Sequence, residues 1–134
     1  MPLNSDVTAP SLDDIAQIAE AELNCLRPAL ARFIDGVPVQ VTDFADDETL
    51  EEMGCETPFD LLGLYRGGGI TAEARGDTGT LPAMIFLYRR PLLDYWCETG
   101  ETLRRVVRHV LIHEIGHHLG LSDEDIDRIE ASVE

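Results

Sequence analysis

An α+β fold is predicted by three features of the 134-residue sequence. Two stretches, 11–26 and 101–119, place apolar residues at helical spacing, while Val37–Val41 alternates with β-branched side chains and Ala83–Tyr88 is an almost unbroken apolar run. Helical and strand patterns are mixed along the chain without a repeat, a linker or a low-complexity block. A flexible tail is expected at 1–10, where Pro2 and Pro10 bracket polar residues, and a single domain at 11–134.

The elements follow in order. Ser11-Leu12-Asp13-Asp14 reads as a capping box that starts a helix carrying Ile15, Ile18, Ala19, Leu23 and Leu26, with Glu22 as its polar interruption. Pro28 should end that helix and open a short second one, Ala29 to Ile34, which Gly36 stops. Val37–Val41 is a strand, and Pro38 within it points to an edge or a strand start. The acidic stretch from Asp43 to Glu56 reads as a solvated loop with a short helix near Thr49–Met53. Pro58–Tyr65 fits turn, helix or strand, and the glycines at 67–69, 76 and 79 bracket a loose hairpin. Ala83–Tyr88 is the strongest strand. A short helix over Leu92–Cys97 leads to Thr99, the expected N-cap of a long helix from Glu101 to about Leu119. Gly120 ends it, and Ser122 with Asp125 caps a last acidic helix.

Composition narrows the function. Ten basic residues against 26 acidic ones give a net charge of −16 and a pI near 4.4, which excludes a nucleic-acid binder built on clustered cations. All ten are arginine, so Schiff-base and P-loop lysine chemistry are excluded. The N-terminus lacks the basic and apolar regions of a signal peptide, and no apolar run is long enough to span a bilayer. Cys25, Cys55 and Cys97 are scattered and odd in number, which reads as reduced thiols in a cytoplasmic protein.

The chemistry lies in His113-Glu114-Ile115-Gly116-His117. Histidines four apart share one helical face and can converge on one ion, while the intervening glutamate sits about 100° around the helix, free to serve as a base. Two imidazoles leave a zinc tetrahedron open. Asp123, after the Gly120 turn, completes H-E-x-x-H-x-x-G-x-x-D and is the expected third ligand; Glu124, Asp125, Asp127, Glu130 and Glu134 compete with it. The fourth position would be left for water, a catalytic arrangement of one zinc ion per chain. His109 shares the face of His113 and reads as a half-buried polar position or a support for the ligand. His118 reads as structural, at the negative end of the helix. Gly116 reads as a point of close approach, and Tyr65, Tyr88 and Tyr95 are each candidate oxyanion donors.

The string from His113 to Asp123, with the doubled histidine His117-His118, resembles the small bacterial zincin-like metallopeptidases. Thr57–Tyr65 and Leu87–Asp94 are also similar to that family, and the likeness covers roughly residues 11–130. It implies a minimal zincin-like fold, a short mixed sheet packed on a metal-bearing helix, with Asp123 in the place of the third histidine of the metzincins. Met84–Tyr88 reads first as a core strand; in zincins an edge strand ahead of the metal helix pairs with extended peptide, which is its alternative role. Two features depart from the larger metzincins. Met1, Met53 and Met84 all precede the motif, so no Met-turn is expected, and only eleven residues follow Asp123, too few for a C-terminal subdomain.

The resulting expectation is a zinc-dependent metallopeptidase acting on peptide or protein substrates, basic ones among them, with Glu114 as general base and His113, His117 and Asp123 on zinc. The alternative is a non-catalytic zinc-binding adaptor or regulatory domain, suggested by the small size and the absent Met-turn. A metal-dependent deaminase would need a P-C-x-x-C pair that the chain lacks.

Overall fold

A computed structural model describes residues 6–67 and 82–133. Helix α1 (Leu12–Ile34) leads to strand β1 (Val39–Thr42), helix α2 (Asp47–Glu52), a 3₁₀ turn (Pro58–Asp60) and strand β2 (Gly63–Arg66). Strand β3 (Met84–Tyr88) runs directly into helix α3 (Arg89–Thr99), followed by α4 (Leu103–His118) and α5 (Asp123–Ser132). The architecture is α+β. The greater part of the hairpin expected among the glycines falls outside the described residues.

The sheet has the order β1-β3-β2, with β1 parallel and β2 antiparallel to β3. The mixed sheet and a core role for β3 were expected; its alternative role as an edge strand is not borne out. It is the central strand, so both of its edges are already paired and it cannot take a peptide by edge addition. Ile85, Leu87 and Tyr88 are all buried, consistent with a strand enclosed on both sides. Among the described residues the outer edges belong to β1 and β2.

Helices α1 and α4 pack together and enclose the core with the sheet. Ile15, Ala19 and Leu26 of α1 meet Val107, Leu111 and Ile115 of α4, all with essentially no exposure. The capping box at Ser11 forms as read, with Ser11 Oγ accepting from Asp14 N and Asp14 Oδ2 accepting from Ser11 N. The helix is interrupted as Pro28 suggested, but two residues later: Leu30 leaves the helical region (φ −129°, ψ 17°), and a short second segment runs on to Ile34, with Leu30 and Ile34 held in the same core as the first four turns. Glu22, the polar interruption, is fully buried and bonded by Arg108 of α4 at 2.6 Å, with Arg104 Nε at 3.4 Å. That cluster fastens α1 to the helix bearing the histidines.

Helix α3 begins earlier than expected, at Arg89, and tolerates Pro91 because the first-turn N–H groups lack intrahelical partners in any case. Its end at Gly100 moves the next cap. Thr102, not Thr99, is the N-cap of α4, its hydroxyl accepting from Arg105 N. Cys25, Cys55 and Cys97 are free thiols. No helix among the described residues is long and apolar enough to cross a membrane.

Candidate metal centre

Helix α4 presents two faces. Val106, Val107, Val110 and Leu111 face the core, and His109, His113 and His117, each one turn apart, form a stripe beside it. The helix ends where the sequence requires. Gly120 takes φ +75°, a left-handed conformation cheap only for glycine, and Leu121 N donates to Gly116 O at 2.9 Å. Ser122 then caps α5, its hydroxyl accepting from Asp125 N, which puts Asp123 at the first position of that helix.

The turn folds α5 back along α4. Gly116 is the contact point: a Cβ there would lie 2.6 Å from Ile126 Cγ1, and Ile126 is fully buried. The close approach expected at Gly116 is thus what docks α5. Gly63 of β2 performs a similar service on another side of α4, where a Cβ would meet Val110 Cγ1 at 2.7 Å.

This docking brings carboxylates to the histidine stripe. His117 Nε2 lies 3.7 Å from Asp123 Oδ1, with both side chains exposed, Asp123 at 89%. His113 turns the other way. Its Nε2 is buried without a hydrogen-bond partner and lies 3.6 Å from Glu130 Oε2. His109 Nδ1 is 2.8 Å from Glu130 Oε1, and its ring lies 4.1 Å from that of His113, centroid to centroid. His113 and His117 rings are edge-on at 5.8 Å. Among the described residues, the trio whose donor atoms all lie within 4.8 Å of one another is His109, His113 and Glu130. Glu130 stood in the sequence only as one of several tail carboxylates. Its position seven residues after Asp123, two turns along α5, is the signal that could have singled it out.

Glu114 leaves the stripe and lines a cleft with Leu61, Leu62, Tyr95, His113 and His117. Burial raises its carboxyl above the usual range, with His117 opposing that shift. Burial also lowers His113, helped by the neighbouring His109 and countered by Glu130. His118 is lowered by burial and stacks on Tyr65 with centroids 4.3 Å apart, on the side of α4 away from the cleft. Tyr65 OH donates to Phe33 O at 2.9 Å, and Tyr88 is buried with its phenol pushed up to about 12 by desolvation. Of the three tyrosines, Tyr95 is the one that lines the cleft.

The donor chemistry fits zinc. Imidazoles and carboxylates are its usual ligands, a depressed histidine is in the neutral form that binds metal, and the buried Nε2 of His113 lacks the hydrogen bond such an atom normally has. The comparison with known families decides the lineage. Residues 34–133 match the family described as zincin-like metallopeptidase. The chain belongs to that family. A search of curated proteins finds no significant match. Membership in the zincin-like metallopeptidases implies zinc binding and a peptidase in general terms. Most of α1 lies before the matched region, yet it supplies a large part of the core on which the histidine helix rests.

Proposed function

We propose that the chain is a zinc-dependent peptidase in which His113, His117 and Asp123 hold one ion and Glu114 moves the proton. The observation that carries this reading is the shared cleft: Glu114, His113 and His117 line one surface beside Leu61, Leu62 and Tyr95 within a chain of the zincin-like metallopeptidase family. Zinc, when bound, supplies Lewis acidity to a carbonyl and acidifies water. Glu114 takes the proton of the attacking water on its carboxylate and returns it to the leaving amine; its burial favours the protonated state between those two events. Tyr95 offers a phenol O–H to the developing oxyanion. Asp123, at the start of α5, would be the third ligand, and the helix dipole there also favours a carboxylate. The net charge of −16 favours basic peptides through long-range attraction.

The test is Glu114→Gln. Peptide-library digestion should fall by about 10²–10⁴-fold, the range for loss of a general base. Zinc content should stay at about one ion per chain, since the glutamate is not a ligand. Undiminished cleavage by the variant removes Glu114 from the mechanism. A second reading, a non-catalytic zinc-binding adaptor, is favoured by the size of the cleft, about 250 Å³. That is below the roughly 300–1,000 Å³ of typical small-molecule sites. It predicts no cleavage of any library by the wild-type protein, and loss of the fold when zinc is removed.

A further inference from the structure

We infer that His109, His113 and Glu130 form a second cation-binding station, one helical turn upstream of the HExxH pair, which takes a borderline divalent ion such as zinc or cobalt. It shares His113 with the proposed catalytic set and is otherwise separate from it.

The spacing supports the station. Two ligand atoms on a tetrahedral zinc lie about 3.4 Å apart, given metal–ligand bonds near 2.1 Å. The Glu130 oxygens stand 2.8 Å from His109 Nδ1 and 3.6 Å from His113 Nε2, on either side of that value. Little rearrangement is needed for the three groups to close on one ion. The short His109–Glu130 contact is held by a proton that a cation replaces, and the buried His113 Nε2 gains the partner it lacks. The donor set, two imidazoles and one carboxylate, selects zinc, cobalt or nickel over calcium and magnesium, which require several oxygens.

Preassembly separates the two stations. His109, His113 and Glu130 are already gathered, whereas His117 and Asp123 are 55% and 89% exposed and must be drawn onto an ion. Because both stations use His113, they exclude each other. An ion at the upstream station withholds His113 from the HExxH pair, so the total remains one ion per chain while the station acts as a competitor to the catalytic position.

The experiment measures zinc affinity by competition with a chromophoric chelator, and cobalt binding by visible absorption. His117→Gln/Asp123→Asn removes the downstream partners, both at exposed side chains. That variant should still bind one zinc ion and show tetrahedral cobalt bands. Adding Glu130→Gln should weaken zinc at least a hundredfold and abolish the bands, and adding His109→Gln instead should do the same. The station is overturned if the double variant binds zinc no better than either triple variant, or if the triple variants keep the affinity and spectrum of the double. Far-UV circular dichroism of each variant verifies folding. Peptide cleavage by the wild type and by Glu114→Gln is read separately, so failure of the station and failure of the peptidase reading give different results.

Discussion

Replacing Gly116 by alanine tests how α5 is held on the histidine helix. The new Cβ would lie 2.6 Å from Ile126 Cγ1 and 2.9 Å from its Cδ1, well inside the 3.5–4.0 Å of an ordinary carbon contact. Ile126 is fully buried, so it has no solvent-facing space into which to rotate. Overpacking of this kind costs about 1–3 kcal/mol, offset by about 1 kcal/mol of better helix propensity, which leaves a net destabilisation of up to about 2 kcal/mol. Ile126→Ala alone should cost about 2–5 kcal/mol through lost burial and a cavity. The decisive measurement is the double-mutant cycle by urea unfolding. Once Ile126 is alanine, the Gly116→Ala methyl occupies space the isoleucine has vacated. The double variant should therefore be more stable than the sum of the singles by about 1–3 kcal/mol. Additivity within about 0.5 kcal/mol would mean that the two residues do not clash, and the account of α5 docking would fall. The single glycine variant should also bind zinc more weakly, because α5 carries Asp123 and Glu130 outward with it.

Three further outcomes follow from the same structure. Arg108→Ala should destabilise by about 3–5 kcal/mol, as it strips the buried Glu22 of its closest partner, whereas Arg104→Ala, at a side chain 65% exposed, should cost less than about 1 kcal/mol; equal effects in chemical denaturation would contradict the burial argument. Tyr88 titrates at about 12 in the fold against an ordinary value of 10, so the fold favours its neutral phenol. The stability it lends is complete below pH 10 and disappears as the pH rises to 12; Tyr88→Phe should flatten that part of the stability profile, and an unchanged slope would refute the assignment. Cleavage of an arginine-rich peptide should have a kcat/KM that falls as salt is raised, since attraction to a chain of net charge −16 is screened; a flat dependence removes the electrostatic preference.

What could be read from the sequence is what neighbours in the chain decide. The capping box at Ser11, the N-cap at Ser122, the glycine turn at 120 and the common face of His113 and His117 all involve residues within four positions of each other, and each stands where its spacing put it. The readings that changed depend on distant partners. The break expected at Pro28 falls at Leu30 instead, because the segment beyond it is packed into the core. The edge alternative for β3 fails because β1 and β2, 46 and 18–24 residues back in register, both pair with it; pairing order is not written in a strand's own composition. Glu22 looked like an interruption because its partner, Arg108, is 86 residues away.

The carboxylates of α5 show where local spacing runs out and what takes over. In an antiparallel pair of helices, each step forward on one is a step back on the other. The turn at Gly120 therefore sets Asp123 beside His117, Ile126 beside Gly116, and Glu130 beside His113 and His109, in that order. Motif spacing alone selects Asp123, because it is the first carboxylate after the turn. The hairpin register selects Glu130 as well, because seven residues along α5 return the chain to the same face two turns on. Both carboxylates ride on one rigid helix, pinned at one glycine contact, and His113 stands between them with a buried nitrogen that only one ion can claim. The position of α5 along α4 thus decides which of the two acidic groups the histidine stripe meets at ligand distance.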